Sequence, residues 1–240
     1  MDVQPNPIPP LDKLKHVPLT GIEALPDRRR LSSRDRRRQL IHSAVDLFAR
    51  HGFSGTRTKD IAAGCGVSEA ILFRHFATKE DLYRAILDEQ QQESGAAEWL
   101  AEMKDLAGRR DDAGFIRCLV AQILKSFREN TPFHRLLMFA SLDGHALADM
   151  FHQRLGWPTF EFMSEYFKLR QQEGAFRTCD AEAAVLFVIS AAVHYATSKH
   201  LFGVKVAQWN DEEVADHFTA FALNGIRAAG YKEKKRRAAR

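Results

Sequence analysis

Paired cysteines are missing from this chain. Its 240 residues hold three, Cys65, Cys118 and Cys179, far apart and without a C-x-x-C spacing. Neither a disulfide framework nor a cysteine zinc site follows, and buried or half-buried thiols are expected. Also missing are a glycine-rich phosphate loop, a G-x-S-x-G elbow and an H-E-x-x-H helix, while the histidines and acids are scattered. The common enzyme classes are therefore not indicated, and no cofactor is implied. The first thirty residues contain no apolar stretch of the signal-peptide kind. The longest apolar run, Ala183 to Val193 broken by Ser190, falls short of the roughly 20 residues that a bilayer requires. It reads as a buried helix, so a cytoplasmic protein with no membrane partner is expected. No segment of useful length alternates with the period of a strand.

What is present is base, proline and helical periodicity. The formal net charge is +4 and 45% of residues are hydrophobic, enough for a sizeable core and a mild electrostatic preference for anions. Residues 1–33 form an arm rich in proline and arginine, without periodicity. The basic run Arg28, Arg29, Arg30, Arg34, Arg36, Arg37 and Arg38 reads either as an element lying near phosphates or as a solvated helix start. Residues 231–240 are a basic, solvated tail.

From about Ser33, Leu40, Ile41, Ala44, Val45 and Phe48 recur at helical spacing and mark one buried face, closed by His51-Gly52. A short helix is expected from about Thr58 to Gly64. A tight turn Gly64-Cys65-Gly66 follows, then a second short helix from the N-cap Ser68 to Phe76. Thr78, with Asp81 three residues on, resembles a capping box for a long helix over about 79–105. Further helices are expected over about 113–130, 132–141, 144–173 (disturbed near Gly156-Trp157-Pro158), 180–201 and 211–229. The two short helices fit a helix-turn-helix, in which the first braces and the second enters the major groove. Ile61, Ala62, Val67, Ile71 and Phe76 close its core, and Glu69, Ala70, Phe73, Arg74 and His75 are left on the outer face.

With these residues in view, the segment from Arg38 to Leu87 resembles the TetR family of bacterial regulators. The resemblance rests on Ala44-Val45-Asp46-Leu47-Phe48-Ala49, Gly52-Phe53, Asp60-Ile61-Ala62, Gly66-Val67-Ser68, Leu72-Phe73-Arg74-His75-Phe76 and Lys79-Glu80-Asp81-Leu82, and covers about a fifth of the chain. It implies an all-α protein with a three-helix DNA-binding domain over 34–80, followed by a larger effector-binding and dimerisation domain over 81–230, about nine helices. It also implies roles by position. Thr58 and Lys59 would meet phosphate, Ser68, Glu69 and Ala70 would open the recognition helix, Arg74 and His75 would reach bases or phosphates, and Lys79 would hold a phosphate. Phe73 stands where the family usually has tyrosine, so it would touch a thymine methyl or pack on a sugar. Glu69 is unusual on such a surface. It would accept from a cytosine amino group or serve as a first-turn charge favoured by the helix dipole.

In such a protein the central helices enclose a small-molecule cavity and the last two pair with a second subunit. Candidate pocket residues are Trp99, Met103, Phe115, Leu119, Ile123, Phe127, Met138, Phe162, Tyr166 and Tyr195, a lining that would favour an apolar or aromatic effector; plain core is the alternative. Candidate dimer residues are Val185, Val188, Ala192, Phe218, Phe221 and Ala222, with an intramolecular core as the alternative. His145, Asp149 and His152 share a helix face and form a weak metal candidate beside the reading of a polar surface. The expected partners are operator DNA, a small-molecule effector and a second copy of the chain. The expected function is repression relieved by the effector, and the competing reading is a helical dimerisation module without sequence-specific DNA binding.

Overall fold

The computed structural model describes residues 31–93, 95–144, 146–205 and 209–230. The arm up to residue 30, His145 and the tail from residue 231 lie outside the described residues. Among those described, eleven α-helices follow one another: α1 Ser33–Gly55, α2 Thr58–Gly64, α3 Glu69–His75, α4 Lys79–Glu93, α5 Ala96–Arg109, α6 Asp112–Glu129, α7 Thr131–Leu142, α8 Ala146–Phe151, α9 Trp157–Gln172, α10 Ala181–Ala196 and α11 Asp211–Ile226. Two π-helical turns extend them, His152–Gly156 between α8 and α9 and Thr197–Leu201 after α10. The one pairing of strand type among the described residues is an isolated antiparallel bridge between Phe176 and Arg227.

Local chemistry explains most of the boundaries. The regular part of α1 stops at Gly52, which holds φ 68°. Thr78 and Asp81 cap α4 reciprocally: the Asp81 N–H donates to Thr78 Oγ1 at 3.0 Å and the Thr78 N–H to Asp81 Oδ2 at 3.1 Å. Asn210 and Glu213 form the same kind of box at α11. The single helix expected over 79–105 is instead two, because Gly95 turns the chain at φ 64° between α4 and α5. The disturbance expected near Pro158 takes the form of the π turn that ends at Gly156. Ser68 stands at the N-cap of α3, but its hydroxyl makes no capping bond.

Two hydrophobic cores result. The first joins Leu40, Ala44 and Phe48 of α1, Ile61 and Ala62 of α2, Leu72 of α3 and Leu82, Tyr83 and Ile86 of α4. Phe133, Leu136 and Ala140 of α7 and Leu147 and Ala148 of α8 complete it. The second is built by α5, α6, α9, α10 and α11 around Met103, Phe115, Leu119, Val120, Met163, Val188 and Leu223. A buried polar cluster crosses it. Asp112 accepts from Arg170 Nε at 2.7 Å, from Arg170 Nη2 at 2.9 Å and from the Tyr166 hydroxyl at 2.6 Å. Ala181–Leu201 is 21 residues long and apolar enough, by length and composition, to cross a membrane. Its Val185, Val188, Ala192 and Ala196 stripe is buried in the second core, which is the environment of a core helix.

Candidate nucleic-acid interface

The α2–α3 unit is fixed by its turn. Gly66, at φ 65°, takes a backbone conformation that a side chain resists. The amides of Cys65, Gly66 and Val67 donate to the carbonyls of Ala62, Ala63 and Ala62 at 3.1, 2.9 and 3.0 Å, so the end of α2 is satisfied by the turn itself. Ala62 is buried, and its small side chain lets α3 approach. Inward residues Ile61, Leu72 and Phe76 seat both helices on α1 and α4.

That seating divides α3 into two faces. Leu72 is fully buried, while Ser68, Glu69, Ala70, Phe73 and Arg74 are exposed and Ile71 and His75 are half-buried. Phe73 is 45% exposed, a high value for an aromatic ring in a small domain. Lys59 is exposed on α2 and Thr58 is half-exposed at its start. The expected contact residues other than Lys79 thus lie on α2 and α3, outside the core. Thr58 and Glu69 are joined directly, the Thr58 hydroxyl donating to Glu69 Oε1 across the two helices. Sequence reasoning named both residues without pairing them; a threonine and a glutamate eleven positions apart carry no local signal of contact.

Lys79 is half-buried and makes contacts within the protein. Its ammonium donates to the Phe53 carbonyl and lies 4.1 Å from the centroid of the Phe53 ring and 5.5 Å from that of Phe48. Burial lowers its pKa. It ties the start of α4 to the end of α1, where a cation meets the carbonyl end of a helix and aromatic faces. Two arginines of the basic run are also engaged: Arg37 lies 5.0 Å over the Phe76 ring, and Arg38 Nε meets Glu89 Oε1 at 2.5 Å.

In the body, Trp99, Met103, Phe115, Leu119, Ile123, Phe127, Phe162, Tyr166 and Tyr195 all belong to or pack against the second core. Met138, on α7, is half-buried and belongs to neither core. Phe115 and Tyr166 stack with centroids 4.1 Å apart. Phe162 and Tyr166 also border a surface groove of about 470 Å³, with Arg110, Lys168 and Leu169 among its other walls. The Ser164 and Thr219 hydroxyls are buried and have no hydrogen-bond partner among the described residues.

The dimer candidates need correction. Val185, Val188, Ala192 and Ala222 are buried within the single chain and present no surface to a second copy, and Phe218 is partly buried against the same core. Phe221 does face out, at 72% exposure, and the outward apolar residues of α10 are Leu186 and Phe187, at 56% and 67%. Helical phase is the reason: residues 185, 188 and 192 form one stripe, and 186 and 187 fall on the other side. The metal candidate cannot be assembled from the described residues, since His145 lies outside them; Asp149 and His152 are exposed.

Comparison with known proteins bears on this geometry. Residues 40–86 match the family model "Bacterial regulatory proteins, tetR family". The HTH-type transcriptional regulator YvkB of Bacillus subtilis (strain 168) is 25% identical over 199 residues, 80% of this chain and 97% of that protein. The HTH-type transcriptional repressor Rv3405c of Mycobacterium tuberculosis is 45% identical over 49 residues, which are 20% of this chain and 26% of the relative. That match therefore spans about a quarter of the repressor's length. Among solved structures, AibR in complex with isovaleryl coenzyme A and operator DNA superposes with a TM-score of 0.61 at 18% identity, covering 78% of this chain and 97% of that one. A likeness at that identity concerns the fold.

Proposed function

Because this chain is a DNA-binding transcriptional regulator of the bacterial TetR family, we propose that it is a cytoplasmic homodimeric repressor that leaves its operator when a small apolar molecule enters the body. The observation that carries this reading is the two-faced α3: Leu72 and Phe76 bind it to the core, and Glu69, Ala70, Phe73 and Arg74 stand outside. An exposed aromatic ring flanked by a carboxylate and a guanidinium makes a surface for base edges rather than for solvent. Lys59, the backbone amide of Thr58 and Ser68 supply the phosphate contacts beside it, while Arg74 and His75 reach bases or the backbone. Lys79 supports the head and is left out of the phosphate set.

The second copy binds through the outer faces of α10 and α11, where Leu186, Phe187 and Phe221 are exposed. Exposed apolar residues of this size on adjoining helices mark an association surface, and two subunits place their recognition helices about 34–36 Å apart along the duplex. The effector enters among the aromatic residues of the second core. Ser164 and Thr219 are buried hydroxyls without partners among the described residues, an unmet bond costing roughly 1–3 kcal/mol, and a polar atom of the effector would recover part of that. An effector that empties the operator from about 99% to 1% occupancy must favour the released conformation about 10⁴-fold. The repressive sign is supported by the name of the mycobacterial relative.

The test is binding of the full chain to DNA from upstream of its own gene and to a random-sequence pool, at about 50 and 200 mM salt. An Arg74→Ala, His75→Ala double variant is measured beside it. The expected result is selection of a palindromic site, an affinity that falls about 10³-fold or more between the two salts, and loss of selection in the variant. Equal, weak binding of both proteins with no selected site would replace this reading with a dimerisation module that does not recognise sequence.

A further inference from the structure

We propose that Glu69, held by Thr58, is a base-specifying residue that selects cytosine in the operator half-site. The inference rests on the operator-binding reading above and says which base one side chain reads. Glu69 is exposed at the first position of α3. Basic residues stand close by in the sequence, Arg57 and Lys59 around Thr58 and Arg74 further along α3. Yet among the described residues Glu69 pairs with no cation and takes the neutral Thr58 hydroxyl on Oε1, which leaves Oε2 without a protein donor.

A carboxylate fixed on a surface that meets DNA is repelled by every phosphate. It is tolerated where it finds a hydrogen-bond donor in the groove, and the major groove offers two on bases: the amino groups of cytosine and of adenine. Adenine places its N7 acceptor beside that amino group, and a second acceptor facing a carboxylate is unfavourable. Cytosine has no such neighbour on its own edge. The bond from Thr58 adds the second requirement, a fixed rotamer. A free glutamate swings among several rotamers and reads nothing in particular, whereas one whose Oε1 is held across the helix pair presents Oε2 in one direction. Ala70 and Phe73, exposed on the same helix, offer methyl and ring surface suited to thymine methyl groups. The half-site is therefore expected to carry a cytosine with thymine within about two base pairs of it. Thr58 acts as a positioning residue in this scheme, and Glu69 touches the base.

The experiment is selection from a random DNA pool by the full chain and by Glu69→Gln, Glu69→Ala and Thr58→Val variants. Competition binding against operators changed at the selected cytosine follows. The wild type is expected to prefer cytosine about tenfold over the other bases at one position of each half-site. Glutamine both donates and accepts and pairs with adenine N6 and N7, so Glu69→Gln is expected to move the preference at that one position to adenine. Glu69→Ala should bind all four bases there alike, with higher affinity for arbitrary DNA because a negative charge is gone. Thr58→Val should keep the cytosine preference at reduced strength. A purely structural brace would change affinity at every position together and leave base identity untouched. Unchanged preference in Glu69→Gln, or a wild-type site with no fixed cytosine, overturns the proposal and leaves operator binding intact. A wild type that selects no site overturns both.

Discussion

Replacing Asp112 with alanine tests whether the body is held by its buried ion pair. Asp112 is 1% exposed and the Arg170 side chain 4%. The carboxylate accepts three bonds, two from the guanidinium at 2.7 and 2.9 Å and one from Tyr166 at 2.6 Å. Burial and the neighbouring carboxylate both push the Tyr166 hydroxyl pKa well up, so it stays a donor. Removing the carboxylate leaves a buried guanidinium that has lost its two bonds to Asp112, though it still meets Glu173, and a buried phenol whose acceptor has gone. Loss of one partner from a buried pair costs about 3–5 kcal/mol. For a chain of this size that corresponds to a fall in Tm of roughly 10 °C. Urea unfolding followed by circular dichroism, at one fixed protein concentration because subunit association contributes to stability, measures it. The double variant Asp112→Leu, Arg170→Met removes both charges and should recover most of the loss. A loss below about 1 kcal/mol in Asp112→Ala, or a double variant no more stable than the single one, would refute the assignment of stability to this pair.

His134 gives a pH dependence. Its ring stacks on Phe127 at 3.8 Å and bonds to the Ser126 hydroxyl at 2.8 Å, and burial pushes its pKa down from 6.5 to about 4. A histidine held neutral by the fold contributes stability that is complete above about 6.5 and declines as pH falls toward 4, by at most roughly 3 kcal/mol. Thermal melts between pH 7 and 4 should show this slope, partly shared with His200, whose pKa burial also lowers, and a His134→Gln variant should flatten it. At the outer face of α10 and α11, Phe187→Glu with Phe221→Glu should turn a dimer into a monomer in analytical ultracentrifugation while leaving the helical signal unchanged. A variant that stays dimeric would move the interface elsewhere.

How much of this could be read from sequence depends on how local each cause is. Gly52, Gly66 and the Thr78–Asp81 box act within a few residues, and all three appear where spacing predicts them. The division of the long fourth helix was hidden because the run from Lys79 to Glu93 is rich in helix formers, and a lone glycine inside such a pattern costs only about 1 kcal/mol. The contacts of Lys79 with Phe53 and Phe48 reach 26 and 31 positions back and carry no local signal. The Asp112–Arg170 pair joins residues 58 apart. No sequence period reports such a contact. In α10 the difficulty was different in kind: a helix apolar almost all round shows that it is buried on several sides, but not which stripe its own chain covers.

The way the two cores meet bears on how an effector could act. Helix α7 belongs to the first and touches the second. Its Phe133, Leu136 and Ala140 close the core beneath the DNA-facing helices, while His134 stacks on Phe127, a residue of the body core on α6. Asn130 alone separates α6 from α7, so a shift of the α6 end cannot be absorbed in a loop before it reaches α7. Helix α4 is another wall of the same core, through Leu82, Tyr83 and Ile86, and Arg154, in the π turn before α9, meets Asp88 of α4 at 2.7 Å. Close-packed cores move between discrete arrangements more readily than they deform continuously. A ligand wedged beside α6 would therefore displace α7 as a unit, and with it one wall of the core that also holds Leu72 of the recognition helix, without touching any residue that faces DNA.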